Sequence, residues 1–83
     1  GQGVGRALLA ALIEAAAAAG FRQMIAVIGG AEPASAALHA AAGFAETGRM
    51  RSSGRKAGRW LDTLYMQRAL GAGDTTPPQV EQC

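Results

Sequence analysis

The chain has few of the groups that usually announce chemistry. It carries one histidine, His39, one cysteine, Cys83, and only two phenylalanines, one tryptophan and one tyrosine in 83 residues. A lone cysteine excludes an internal disulfide, and at the last position it reads as an inert tail thiol. No run of about 18 apolar residues occurs, so no membrane span is expected. An initiator methionine and a signal-peptide pattern are also lacking, which fits a cytoplasmic protein. No metal is expected. Large apolar side chains are scarcer than the hydrophobic fraction of 49% suggests, because alanine supplies much of it. Alanine favours helix but buries little area, so the core falls to the few Leu, Ile, Val, Met and Phe residues of one small domain.

Charge is low but unevenly placed. The net charge is +2, yet Arg49, Arg51, Arg55, Lys56 and Arg59, five of the eight cations, fall between residues 49 and 59. Either this basic stretch is a solvated hairpin end, or it meets a carboxylate or phosphinate, for which a planar guanidinium is suited.

Along the chain, Val4, Leu8, Leu12 and Ala15 recur at helical steps, with Leu9 and Ile13 widening the stripe, which predicts a helix over 4–19. Gly20 is placed to cap it in a left-handed conformation, with Phe21 folding back on the last turn. The run MIAVI, residues 24–28, predicts a central strand buried on both faces. Pro33 after Glu32 starts a second helix, PASAALHAAA, which stops at Gly43-Phe44 as the first stops at Gly20-Phe21. Residues 44–54 and 59–69 predict two antiparallel strands around a turn at 55–58. Trp60 and Tyr65 read as core residues, and Met24, Met50 and Met66 as filler. Residues 71–83, with Gly, Thr and Pro-Pro, predict a flexible tail after a unit ending near residue 70.

The order is loop, helix, strand, helix, strand, strand. The loop is GQGVGR. Alternating glycines before a helix let successive N–H groups point at one anion, and the helix dipole favours negative charge there. The amides of residues 3 to 7 (Gly3, Val4, Gly5, Arg6, Ala7) are the candidate donors, with the Arg6 side chain a further phosphate contact. A Walker loop fails because Gly5 is followed by Arg6-Ala7, and a dinucleotide fingerprint fails because Arg6 stands where its third glycine belongs.

GQGVGRALL resembles the pyrophosphate loop of the GNAT superfamily of N-acetyltransferases, with Gly3 and Gly5 in the two glycine places. MIAVIGGAEPASAALHAAAGF is similar to the strand and helix that follow that loop. A run of Lys56, Gly58, Trp60 and Asp62 is similar to the terminal hairpin of phosphinothricin acetyltransferases. The resemblance covers residues 1 to about 68. It implies an α/β fold with a mixed sheet, corresponding to the C-terminal half of the GNAT fold, so that Gly1 opens in the middle of a site. The chain is then expected to be a fragment.

The implied reaction is acetyl transfer from acetyl-CoA to a primary amine, with the full-length enzyme a cytoplasmic homodimer that uses no nucleic acid, membrane or metal. Gly3, Val4, Gly5, Arg6 and Ala7 would hold the CoA pyrophosphate, and the backbone at Val27 and Ile28 would receive the pantetheine arm. Lys56 and Trp60 would meet the acceptor. The general base, a carboxylate in this branch, is expected on the strand before the loop. His39 falls four residues before Gly43, where the resemblance implies the group that protonates the departing thiolate; an imidazole can do that near neutral pH. Read without the resemblance, it is a histidine on an alanine-rich helix facing solvent or sheet. Glu32 departs from the family, where asparagine contacts CoA; a carboxylate would instead cap the helix. Arg55 stands where this branch often has an aromatic residue.

Two other classes stay open. The basic hairpin could make an anion- or nucleic-acid-binding module, although no exposed aromatics alternate with the arginines. The strand at 24–28 could instead pair with another chain in an interaction fragment. The 83-residue chain alone is expected to turn over no acetyl-CoA and to self-associate.

Overall fold

A computed structural model describes residues 2–78 of the chain. Helix α1 spans Gln2–Ala18, strand β1 Gln23–Gly29, helix α2 Pro33–Ala41, strand β2 Ala45–Lys56 and strand β3 Arg59–Ala69. The sheet order is β1-β3-β2, and both pairings are antiparallel. The mixed character expected of the sheet is therefore not present in these three strands. Among the described residues β1 has one neighbour, β3, and its other edge is open.

Both helices pack on one face of the sheet. Ile28, Phe44, Leu64 and Met66 form the buried cluster, and Leu9 and Ile13 of α1 and Ala36 and Ala42 at α2 close over it. Each such large side chain contributes about 1.5–3 kcal/mol when fully buried, so this core is small.

Three expectations change. Helix α1 begins at Gln2 rather than Val4, so Gly3 and Gly5 lie in its first turn and not in a preceding loop. Glycine costs only about 1 kcal/mol relative to alanine inside a helix, which packing can outweigh. Gly5 is in fact close to α2: a Cβ built there would stand 3.6 Å from a Leu38 methyl. Second, Val4, Leu8 and Leu12, which lead the helical stripe in the sequence, are exposed. The helix is apolar on two sides, and only the Leu9–Ile13 side meets the sheet. Third, β1 is not buried on both faces. Met24, Ala26 and Ile28 turn toward the helices, while Ile25 and Val27 are exposed on the opposite face.

Both helices end in the same motif. At α1, the N–H of Phe21 donates to the Ala16 carbonyl at 3.1 Å and that of Gly20 to Ala17 at 3.1 Å. At α2, Phe44 donates to His39 at 3.0 Å and Gly43 to Ala40 at 3.0 Å. These are paired six-to-one and five-to-two bonds, and they require the left-handed backbone that Gly20 (φ +92°) and Gly43 (φ +93°) supply.

The β2–β3 turn is tighter than expected. Arg55 pairs with Trp60 and Lys56 with Arg59, which leaves only Ala57 and Gly58 in the loop. Both have positive φ, +52° and +75°, as a two-residue type I′ turn demands. After β3, Leu70 is fully buried and its N–H donates to the Arg22 carbonyl at 2.9 Å. The Arg22 guanidinium in turn donates to the carbonyls of Gly73 (2.8 Å) and Thr76 (3.1 Å). Residues 79–83, the remainder of the expected tail, lie outside the described residues, as do Cys83 and Gly1.

Candidate functional site

The N-terminus of α1 carries the glycines. The first N–H groups of a helix have no intrahelical acceptor, so in the first turn those of Gly3 and Val4 are available to an anion. By Arg6 and Ala7 the regular ladder of a helix begun at Gln2 takes the amides, and Arg6 offers its exposed side chain instead. A Cβ built on Gly3 meets nothing within 4 Å, so the protein's own packing does not demand glycine there. Gly3 leaves open space beside the first-turn backbone of α1.

A cleft of about 620 Å³ runs between α1 and α2. Arg6, Leu9 and Ile13 line one wall, Leu38 and Ala42 the other, and Arg68 lies against it. It is mostly apolar, and Arg6, near the N-terminus of α1, is among its lining residues.

Val27 and Ile28 differ in what they can offer. The Ile28 side chain is part of the core and unavailable to a ligand. In an antiparallel ladder, alternate residues direct N–H and C=O away from the partner strand, so β1 presents backbone groups along its open edge.

Glu32 caps α2. Its carboxylate accepts from the N–H groups of Ala34 (3.0 Å) and Ser35 (2.7 Å), and these two bonds, Ser35 foremost, hold its pKa below the usual glutamate value. His39 lies in the last turn of α2, half-buried. Its Nδ1 is 2.7 Å from the Ser35 carbonyl, which can only accept, so Nδ1 carries a hydrogen and Nε2 remains for other work. Phe44 fixes the ring edge-on, with centroids 5.1 Å apart at 82°. Ser35 contributes its backbone, and among the described residues no nucleophilic triad forms around it.

On the hairpin, Trp60 is 63% exposed rather than a core residue. Its ring stacks under the Arg55 guanidinium at 4.9 Å, a cation–π pair across the last ladder rungs. Tyr65 is half-buried and donates to the Met50 sulfur at 3.3 Å. Lys56 sits exposed beside the turn, opposite Arg59. Neither the part played by the Asp62 side chain nor the irregularity in β2 is among the features expected from the sequence. Residues 51–53 stand against Asp62 alone, between the Met50–Thr63 and Gly54–Leu61 pairs. The Asp62 carboxylate accepts from the Ser52 N–H (3.0 Å) and from Arg49 Nη1 (3.0 Å), and these contacts depress its pKa. The serine and glycine of RSSGR, short residues facing an aspartate across a hairpin, were the available signal.

The family described as the acetyltransferase (GNAT) domain matches residues 1–65. The chain belongs to the GNAT acetyltransferase family. A phosphinothricin N-acetyltransferase of Alcaligenes faecalis is 52% identical over 80 residues, 95% of this chain and 41% of the relative. An L-methionine sulfoximine/L-methionine sulfone acetyltransferase of Pseudomonas aeruginosa is 44% identical over 77 residues, 93% of this chain and 45% of the relative. Among solved structures, a GNAT superfamily phosphinothricin acetyltransferase from Sinorhizobium meliloti, in complex with acetyl-CoA, superposes with a TM-score of 0.91 at 58% identity. The match covers 95% of this chain and 43% of that one. The chain thus spans about two-fifths of the length of these phosphinothricin relatives. Within this GNAT frame, α1 with its glycine-bearing first turn, β1 and α2 stand in the order expected from the sequence.

Proposed function

We propose that this chain supplies the acetyl-CoA-binding part of an N-acetyltransferase that acts on the primary amine of a small amino-acid-like acceptor such as phosphinothricin. The observation that carries the reading is the end of α1. First-turn amides that lack helical acceptors and open space at Gly3 occur there, with the exposed Arg6 at the start of the next turn, in a GNAT chain similar to an enzyme solved with acetyl-CoA. The pyrophosphate binds at the first-turn backbone of Gly3, Val4 and Gly5 and at the Arg6 side chain, the Ala7 amide being taken by the helix, and the pantetheine arm lies along the backbone of β1 near Val27 and Ile28.

In the transfer, the amine nitrogen forms a bond to the thioester carbonyl carbon as the carbon–sulfur bond breaks. The proton leaving the amine goes to a base supplied by the rest of the domain. The CoA thiolate takes a proton from Nε2 of the His39 imidazolium, which leaves a neutral ring with its hydrogen on Nδ1 against the Ser35 carbonyl and its edge against Phe44. Lys56 and Trp60 stand on the acceptor side, at the hairpin end.

Titration of the chain with CoA, followed by backbone amide shifts, tests the first part. Perturbation centred on residues 3–7 and 27–28, reduced when Arg6 is replaced by alanine, is the expected result. Saturation elsewhere, or no shift at millimolar CoA, sinks the reading.

A second reading rests on the open edge of β1 and on the exposed Ile25 and Val27. Such an edge pairs readily with another strand, and a homodimer would bury it. Concentration-dependent association, abolished by Val27→Lys, would support that reading.

A further inference from the structure

The register of the sheet places the β2 irregularity at the mouth of the proposed site. Thr63 pairs with Gly29 on one side and with Met50 on the other. The C-terminal end of β1 and the start of the 51–53 bulge therefore lie level, two strand spacings or about 10 Å apart. That is within the reach of a small amino-acid-like acceptor whose amine lies near the end of β1.

The bulge is a built feature. Three residues oppose one, and Ser52 has φ +51°, a conformation a serine adopts only when its surroundings hold it. Asp62 holds it through the Ser52 N–H, and the Ser53 and Thr63 hydroxyls, 2.6 Å apart, close the other side. The same carboxylate is shared between two guanidiniums. Arg49 Nη1 lies 3.0 Å from Asp62 Oδ2, while Arg51 Nη1 is 3.9 Å from it with its side chain 83% exposed. Among the described residues, one carboxylate between two cations leaves one positive charge unmatched, and Arg51 is the less engaged of the pair. A guanidinium with free N–H groups is suited to a carboxylate or phosphinate, which it can bind with two parallel hydrogen bonds.

We infer that Arg51 recognises the acidic group of the acceptor amine, and that Asp62 is the positioning residue that folds the 51–53 bulge so that Arg51 is presented. This rests on the acetyltransferase reading above and deepens it: the acceptor class is an amine that also carries an anionic group.

The test follows amide shifts of the chain with CoA present, adding phosphinothricin or, as the uncharged-chain comparison, pentylamine. Phosphinothricin should shift residues 51–53 and pentylamine should not. Arg51→Ala should weaken the phosphinothricin response by about tenfold or more, the size of a hydrogen bond to a charged group, while leaving the CoA shifts at residues 3–7 intact. Arg51 is exposed, so this variant removes no core contact. Asp62→Ala is the sharper variant. It removes a negative charge from beside the arginines, so a purely electrostatic role predicts tighter phosphinothricin binding, whereas positioning predicts weaker binding together with faster hydrogen exchange at Ser52. Unchanged binding in Arg51→Ala, or a gain in Asp62→Ala, overturns the inference. Loss of the CoA shifts in the unmodified chain overturns the acetyltransferase reading instead, so the two failures are distinct.

Discussion

The two helices end identically and their phenylalanines meet opposite fates. Gly20-Phe21 and Gly43-Phe44 make the same pair of backbone bonds, with glycine φ values one degree apart. Yet Phe44 is 5% exposed and Phe21 64%. Register supplies the reason. Ala45 pairs with Gln67, so Phe44 lies beside Arg68, still over β3. Gln23 pairs with Ala69, the last residue of β3, so Phe21 lies past the end of the sheet and has nothing to cover. A local motif fixes how the chain turns; the length of a neighbouring strand decides whether the turn is buried.

The sharpest way to break this comparison is to truncate both rings. Phe44→Ala removes a ring from a four-member core cluster and its edge contact with His39, and should cost about 3–5 kcal/mol. Phe21→Ala should stay within about 0.5 kcal/mol. Equal losses in chemical denaturation would mean that Phe21 is covered in solution. The glycines come next. Both Gly43→Ala and Gly20→Ala force a side chain into the left-handed region, at a cost of about 1–2 kcal/mol. Gly43→Ala should be the worse of the two, because its new Cβ would stand 2.9 Å from Arg68 Nε, whereas that of Gly20 meets nothing within 4 Å. A larger loss for Gly20→Ala would contradict the geometry.

Arg68 separates the ends further. Its Nε donates to the Ala42 carbonyl at 2.7 Å, satisfying an acceptor at the end of α2 that the helix itself leaves free. No side chain among the hydrogen bonds of the described residues does this for α1. Arg68→Met, which keeps the apolar stem, should cost about 1 kcal/mol and loosen amide protection in the last turn of α2 but not of α1.

What the sequence made legible follows the same division. The Gly-Phe endings, the Pro33 start and the order of elements along the chain could be read because each rests on residues adjacent in the chain; that β3 rather than β1 is the middle strand could not. The exposure of Leu8 beside a packed Leu9 could not, since an alanine-rich helix with leucines on two sides does not say which side meets the sheet. Nor could the exposed outer face of β1, with Ile25 and Val27, since an apolar run looks the same whether one face is covered or two. At the site, the glycine turn, His39 and the hairpin cations were visible as residue types. Their engagement was not. That Trp60 lies under Arg55, and that Asp62 pins Ser52, depends on pairing across a turn two residues shorter than the one expected.

The helix starts provide the mildest contrast, and one that pH controls. Glu32 caps α2 with two bonds to backbone N–H groups, while α1 has no acidic residue in its first turn. The Ser35 and Ala34 bonds favour the charged carboxylate and lower its pKa from the ordinary 4.5. A group whose folded pKa lies below its unfolded one contributes stability above the unfolded value, and loses that contribution as pH falls through the folded value. The cap should therefore be fully effective above about pH 5 and fade below 4.5. The amide shifts of Ala34 and Ser35 should titrate with a midpoint under 4.5, while those of Gly3 and Val4 stay level over the same range. Glu32→Gln should abolish the titration at α2 and lower stability slightly at neutral pH, with the difference from the unmodified chain vanishing in acid. If α1 and α2 instead lost order together with one midpoint, the cap would be coupled to the whole sheet, and the two helix starts would not be separable as their two ends are.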